Sequence, residues 1–240
     1  MNDTIDKHTV KSYGKELQKL LDSVRDMGDL VHSQIERAMF ALDHNDTHVA
    51  TQVIEGDKRI DDLEAQINQL VTRELALRQP MADDLRLIIN ALKTSGNLER
   101  IGDLAANIAK RCLALSRTGN RFPTHNLVYM SERVRRQLVR VLQAFVDGDA
   151  NSALQVWHED QEIDAIHTSL FREVLTYMME DPRNITPCTH LMFIAKNLER
   201  MGDHSTNIAE GIFFQVAGAP LREDRPKADR SSVQGDLDAG

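Results

Sequence analysis

An internal repeat constrains this chain more than any other feature of its sequence. Residues 97–103 read NLERIGD and recur at 197–203 as NLERMGD, and an Asn-Ile-Ala triplet follows each copy at the same distance. Earlier in the chain, DKRID at 57–61 aligns with DQEID at 160–164, at an offset of 103 residues instead of 100. Matches in a fixed order at two similar offsets predict two similar halves, the second with a connection about three residues shorter.

Prolines and helix-forming residues divide each half further. The stretches between the six prolines are rich in Leu, Ala, Arg, Glu, Gln and Met and show no sustained two-residue alternation. Because proline breaks helix interiors, these stretches predict an all-α protein. Its six long helices are expected at about residues 15–43, 47–78, 81–117, 125–146, 150–180 and 187–216. Asp46 and Asp149 are suited to cap the second and fifth helices, and Thr186 with Pro187 to begin the sixth.

Three helices in each half predict two tandem, structurally similar three-helix bundles. We place the first at residues 1–120 and the second at 121–217, followed by a polar tail at 218–240 that is expected to be disordered.

Composition narrows the class of protein. The 240 residues are 41% hydrophobic, which is enough to form a substantial core. A formal charge of −8 argues against a general nucleic-acid binder, since phosphate contacts require a basic surface. The N-terminus does not resemble a secretory signal, and no run of residues is long and apolar enough to span a membrane. The two cysteines are far apart in the sequence and suggest no disulfide framework. The expected location is the cytoplasm.

The candidate functional residues lie inside the repeat as carboxylates spaced four apart. Residues at this spacing share one face of a helix. On a helical projection, Glu99 falls within the apolar stripe of its helix, where an unpaired carboxylate is costly. The second and third helices of each bundle should lie side by side and bring four carboxylates together. The resulting candidate metal ligands are Asp57, Asp61, Glu99 and Asp103 in the first half, and Asp160, Asp164, Glu199 and Asp203 in the second.

The residues alone leave several alternatives open. Carboxylates without cysteine suit Mg²⁺, Mn²⁺, Ca²⁺ or iron, and the pattern does not select among them. Without metal, Arg100 and Lys58 would be the charge partners. One basic stretch is more typical of a solvated helix face than of a docking patch for an acidic partner. It contains Arg133, Arg135, Arg136 and Arg140. No nucleophile, phosphate loop or Glu-x-x-His motif is present, which favours an adaptor over a metal-dependent hydrolase or oxidase.

The two motif copies also carry a family resemblance. NLERIGDLAANIAK at 97–110 and NLERMGDHSTNIAE at 197–210 resemble the paired signature of the PhoU family, and VIEGDKRID, LRQPMADDLRLI and TYMMEDPRNIT fit the same pattern in order. The resemblance covers roughly residues 8–216. It implies two three-helix bundles whose eight carboxylates hold multinuclear iron or other metal clusters at the surface.

The resemblance also implies a function. Members of this family are negative regulators of phosphate uptake and of phosphate-starvation signalling. The resemblance implies a protein that connects the ATPase of the phosphate importer with a sensor histidine kinase, and so reaches the membrane only through partners. We therefore expect a non-enzymatic homodimer that regulates phosphate homeostasis and binds no nucleic acid.

Overall fold

The computed structural model describes residues 2–118 and 122–222, with side chains from Tyr13 onward. Within these ranges the chain forms six α-helices, one short 3₁₀ helix and no strand, which confirms the predicted all-α class. The helices are α1 (Asn2–His44), α2 (Thr47–Arg78), α3 (Ala82–Ser116), α4 (His125–Asp147), α5 (Ala150–Glu180) and α6 (Ile185–Ala217), with the 3₁₀ helix at Pro182–Asn184.

Two helix ends differ from the prediction. Helix α1 begins at Asn2 instead of near residue 15, because no proline interrupts the sequence between them. The prediction that Thr186 caps α6 is wrong: Asn184 is the N-cap and Pro187 is the third helical residue. Proline is tolerated there because the first amides of a helix have no intrahelical acceptor. Of the predicted tail, residues 223–240 lie outside the described part, as does the predicted boundary near residue 120.

The first turn of each half has the same geometry. Asp46 accepts hydrogen bonds from the backbone amides of His48 and Val49, and Asp149 caps α5 in the same way. The residue before each cap has a positive φ, 55° at Asn45 and 63° at Gly148. Asparagine and glycine are the residues that tolerate this left-handed conformation best. The two turns are therefore built alike, as the repeat predicts.

The six helices form two bundles of three. Helices α1, α2 and α3 pack against one another, as do α4, α5 and α6. Among the described residues, α2 makes contacts only within the first bundle and α5 only within the second. Each bundle has an apolar interior, with Ile60 and Ile67 fully buried in the first and Phe145 and Trp157 buried in the second. Two tandem three-helix bundles are thus confirmed.

Helices α3 and α6 join the bundles and run antiparallel. Near the start of α3, the Asn90 side chain donates to Gln215 Oε1 near the end of α6, at 2.7 Å. Near the end of α3, the Arg111 guanidinium lies 4.0 Å from the ring centre of Phe193 near the start of α6. This antiparallel contact relates the two NLER segments by an approximate two-fold axis.

Helices α1 and α4 form the other contact between the bundles. Arg135 on α4 donates to Glu36 Oε1 on α1 at 2.8 Å and to His32 Nε2 at 3.2 Å. The prediction of a solvated face for the basic stretch is therefore wrong at this arginine, which lies against the other bundle. Arg133 and Arg140 instead pair with glutamates of α5. No helix in the described ranges is long and apolar enough to cross a membrane.

Candidate metal-binding carboxylate clusters

The first carboxylate cluster consists of Asp57 and Asp61 on α2 and Glu99 and Asp103 on α3. Asp57 on α2 lies close to Asp103 on α3, across the two helices. Burial, followed by repulsion from Asp103 and Asp61, raises the pKa of Asp57 to about 6. Burial and the nearby Asp103 likewise raise the pKa of Glu99. The structure therefore brings the four predicted residues of the first half together.

The first cluster is only partly neutralised by basic side chains. Arg100 lies 3.3 Å from Glu99 and 3.6 Å from Asp103, so it pairs with two carboxylates of this cluster. The Arg100 side chain is 62% exposed, and exposed ion pairs contribute little to stability. Lys110 on α3, which the sequence analysis did not single out, is the lysine that lowers the pKa of Asp57.

The second carboxylate cluster consists of Asp160 and Asp164 on α5 and Glu199 and Asp203 on α6. It is more deeply buried than the first: Asp160, Asp164 and Glu199 are 2%, 5% and 7% exposed. Burial raises the pKa of Glu199, while its hydrogen bond with Lys196 lowers it. Repulsion from Asp203 and Asp160 also raises this pKa, which shows that the carboxylates of α5 and α6 are near one another.

Two partners of the second cluster were missed by sequence reasoning. Gln137 on α4 donates from Nε2 to Asp160 Oδ1 at 2.9 Å. Lys196 on α6 donates from Nζ to Glu199 Oε1 at 2.7 Å. The repeat offset contained a signal for the glutamine, because Gln34 stands 103 residues before Gln137 and is also buried. No spacing rule links the glutamine to its aspartate, since they lie on different helices.

Glycines allow the helices carrying each cluster to approach closely. A Cβ at Gly102 would lie 2.7 Å from Ile60 Cδ1 and 3.5 Å from Asp57 Oδ1. A Cβ at Gly202 would lie 2.8 Å from Asp160 Oδ1 and 3.3 Å from Ile163 Cδ1. The glycine of each NLERxGD motif therefore holds an equivalent place, between the two carboxylates of its helix and against the neighbouring helix.

The donor set of these clusters suits a hard cation. Within the described part of the chain, no three His, Cys, Asp or Glu side chains already stand as a metal site, so binding requires side chains to turn toward a common centre. In the second cluster, Glu199 Oε2 and Gln137 Oε1 are buried without a hydrogen-bond partner among the described residues. Buried oxygen atoms that lack donors are ligands that Mg²⁺, Mn²⁺, Ca²⁺ or iron can use. The role of the eight carboxylates as ligands stays a prediction.

These features define a class of protein: a duplicated six-helix molecule with one acidic cluster in each half. The sequence profile of the PhoU domain matches residues 24–112 and 127–212. The chain belongs to the PhoU family.

Curated relatives match almost the whole chain. A protein of Caulobacter vibrioides named phosphate-specific transport system accessory protein PhoU homolog is 47% identical over 223 residues, covering 92% of this chain and 97% of that protein. A Rhizobium meliloti protein with the same name is 44% identical over 96% of this chain and 98% of its own length.

Solved structures agree with the fold. The crystal structure of PhoU from Pseudomonas aeruginosa is similar at a TM-score of 0.82 and 38% identity, covering 86% of this chain and all of that one. The phosphate transport system regulatory protein PhoU from Streptococcus pneumoniae gives a TM-score of 0.82 at 30% identity, covering 88% of this chain and all of that one.

Proposed function

We propose that this chain is a non-enzymatic regulator of phosphate uptake. It represses phosphate-starvation signalling when phosphate is plentiful, by linking the ATPase of the phosphate importer to a sensor histidine kinase. The observation that carries the proposal is the similarity, over more than nine-tenths of the chain, to relatives named as accessory proteins of phosphate-specific transport. The protein acts in the cytoplasm, as a homodimer, and reaches the membrane through its partners.

In this proposal the two carboxylate clusters bind metal ions. Asp57, Asp61, Glu99 and Asp103 hold one centre, and Asp160, Asp164, Glu199 and Asp203 hold the other. A bound cation supplies positive charge that offsets the repulsion raising the pKa values of Asp57 and Glu99. Each centre lies between a helix confined to one bundle and a helix at the contact between the bundles, so occupancy would favour one arrangement of that pair.

The experiment is deletion of the gene in the source bacterium, followed by measurement of starvation-gene expression in phosphate-rich medium. Deletion should switch these genes on, and the wild-type gene should restore repression. Complementation with Glu99→Gln/Asp103→Asn tests the first cluster, and Asp62→Asn, an exposed change on α2, is the matched control. Affinity capture of the tagged protein from the same strain should recover the kinase or the importer ATPase.

A metal-dependent enzyme is the second candidate, because the same carboxylates could position a cation for hydrolysis or oxidation. Normal repression in the deletion strain, together with turnover of a substrate by the purified metal-loaded protein, would support the enzyme and contradict the regulator. Loss of repression in the deletion strain, restored by the wild-type gene, would support the regulator.

A further inference from the structure

The two carboxylate clusters differ at one pair of equivalent positions. Gly96 on α3 and Lys196 on α6 stand 100 residues apart, each three residues before the glutamate of its NLER motif. In the first half, a Cβ at Gly96 would lie 3.9 Å from Glu64 Oε1 on α2, so a fifth carboxylate stands beside the cluster. In the second half, the ammonium of Lys196 lies 2.7 Å from Glu199 Oε1.

The ion pairs of the two clusters differ in length and in the exposure of their side chains. The Glu199 side chain is only 9% exposed, so its pairing with Lys196 is poorly screened by solvent. Arg100, the basic partner of the first cluster, is 62% exposed and lies at longer distances from its carboxylates. The second cluster therefore contains a lysine ammonium, itself 47% exposed, in direct contact with a buried carboxylate, and the first has no ion pair as short.

Unpartnered oxygens indicate that the second cluster remains a place for a cation despite this lysine. Glu199 Oε2 is buried and accepts no hydrogen bond from any described residue, although Oε1 of the same carboxylate is bonded to Lys196. Gln137 Oε1 is also buried and unpartnered, and it lies 3.4 Å from the Cβ position of Gly202, between Glu199 and Asp203 on α6. The amide of the same glutamine holds Asp160.

We propose that Lys196 is a tethered competitor for metal at the second carboxylate cluster. A divalent cation binds the first cluster without breaking a short ion pair to a buried carboxylate. At the second cluster it must displace the Lys196 ammonium from Glu199, so the first cluster fills at lower metal concentration. The inference rests on the proposed binding of metal by the eight carboxylates, and it adds an order of filling that the repeat alone does not give.

The test is a titration with Mn²⁺, in which binding is measured as the loss of the electron paramagnetic resonance signal of the free ion. Glu99→Gln/Asp103→Asn disables the first cluster, so this variant measures the second alone. Glu199→Gln/Asp203→Asn disables the second cluster and measures the first alone. The first cluster should bind Mn²⁺ about tenfold or more tightly than the second, because an ammonium in contact with a buried ligand oxygen opposes cation binding by that order. Far-ultraviolet circular dichroism checks that each protein remains helical.

Removing or adding the lysine should then change the order. With the first cluster disabled, Lys196→Met keeps the aliphatic stem, removes the charge and should tighten Mn²⁺ binding about tenfold, whereas Lys196→Arg should leave it within about threefold. With the second cluster disabled, Gly96→Lys should weaken binding at the first cluster by a similar factor. Equal affinities in the methionine and arginine variants would overturn the competitor role while leaving metal binding intact. No Mn²⁺ binding by the wild-type protein or any variant would overturn the ligand assignment itself, and this inference with it.

Discussion

The first and second bundles place four carboxylates at equivalent positions, but they stabilise them by different means. In the first, the carboxylates remain partly exposed and meet a solvated arginine. In the second, Asp160 and Glu199 are buried and meet Gln137 and Lys196. What both halves keep is backbone geometry: an aspartate cap after a left-handed residue, and a glycine where two helices meet. The repeat therefore specifies where the acidic groups lie, whereas the side chains that contact and neutralise them differ between the halves.

The largest expected difference between the halves concerns the packing of α2 and α5 at another equivalent position. Trp157 on α5 is 1% exposed, and its indole nitrogen donates to Glu210 Oε1 at 2.9 Å. The first half has a partly buried Ile54 there, 103 residues earlier. Trp157→Ala should lower the free energy of unfolding by about 3–5 kcal/mol, through lost apolar contacts and a cavity. Ile54→Ala should cost no more than about 2 kcal/mol, because less of that side chain is buried.

Urea unfolding followed by circular dichroism measures both variants, since Trp157→Ala removes the chain's single tryptophan. Equal losses would mean that the two bundles do not differ in packing at this position.

The glycines of the two motif copies should also respond unequally. Gly102→Ala drives its new methyl group into the end of Ile60, whereas Gly202→Ala meets Asp160, which Gln137 holds by a hydrogen bond. Both substitutions should destabilise the fold by about 1–3 kcal/mol through overpacking. The cost should be larger at Gly202, since a buried polar contact must shift as well.

Gly14→Ala is the matched control for this pair, because an added Cβ there meets open space. It should raise stability by up to about 1 kcal/mol, as alanine favours the helical state. Thermal unfolding of the three variants orders them, and a stabilising Gly202→Ala would contradict the close approach of α5 and α6.

A third difference lies at the far end of α2. Glu74 is 4% exposed, its Oε2 has no hydrogen-bond partner among the described residues, and the equivalent residue of α5 is Tyr177. Burial, followed by repulsion from Glu16, raises the pKa of Glu74 above its ordinary value of 4.5. The folded state therefore holds the proton more tightly than the unfolded state, and stability is lost as pH rises from 4.5 through the folded pKa.

Glu74→Gln mimics the protonated form and should raise the free energy of unfolding by about 1 kcal/mol at pH 7. The gain should largely disappear at pH 4, where the wild-type side chain is itself protonated. Urea unfolding at the two pH values measures it, and Glu55→Gln, at an exposed position of α2, serves as the control. A gain of the same size at both pH values would show that the effect is not electrostatic.

The range of each interaction decides how much of the fold and of the candidate site could be predicted from the sequence. The six helices and the positions of the eight carboxylates depend on local periodicity and on the repeat, and both could be read directly. The pairing of Lys196 with Glu199 is also local, but spacing does not say which face of α6 is buried. Gln137 contacts Asp160 on the next helix of its own bundle, so this contact depends on how α4 and α5 pack. Arg135 contacts α1, so its contact depends on how the two bundles face each other. A repeat permits several such arrangements, so its sequence could not select this one.

The smallest expected effect tests that arrangement where the two halves meet. His32 on α1 and Arg135 on α4 stand 103 residues apart, at equivalent positions, and they contact each other across the approximate two-fold axis. The imidazole accepts from Arg135 Nε, so it must be neutral in the folded protein. Burial and then the charge of Arg135 lower the pKa of His32 below 6.5, against the opposing effects of Glu36 and Asp29.

The sign of the pH dependence follows from this pKa. The unfolded chain takes up a proton near pH 6.5 and the folded chain does so only at lower pH, so stability is lost as pH falls below about 6.5. His32→Gln keeps an acceptor for Arg135 without a titrating group, and it should match the wild type within about 0.5 kcal/mol at pH 7.5. Between pH 7.5 and 5.5 the variant should lose less stability than the wild type, by up to about 1 kcal/mol. Urea unfolding across this range measures the difference, with His48→Gln at an exposed position as the control. Parallel curves for His32→Gln and wild type would mean that the contact between α1 and α4 does not depend on a neutral imidazole.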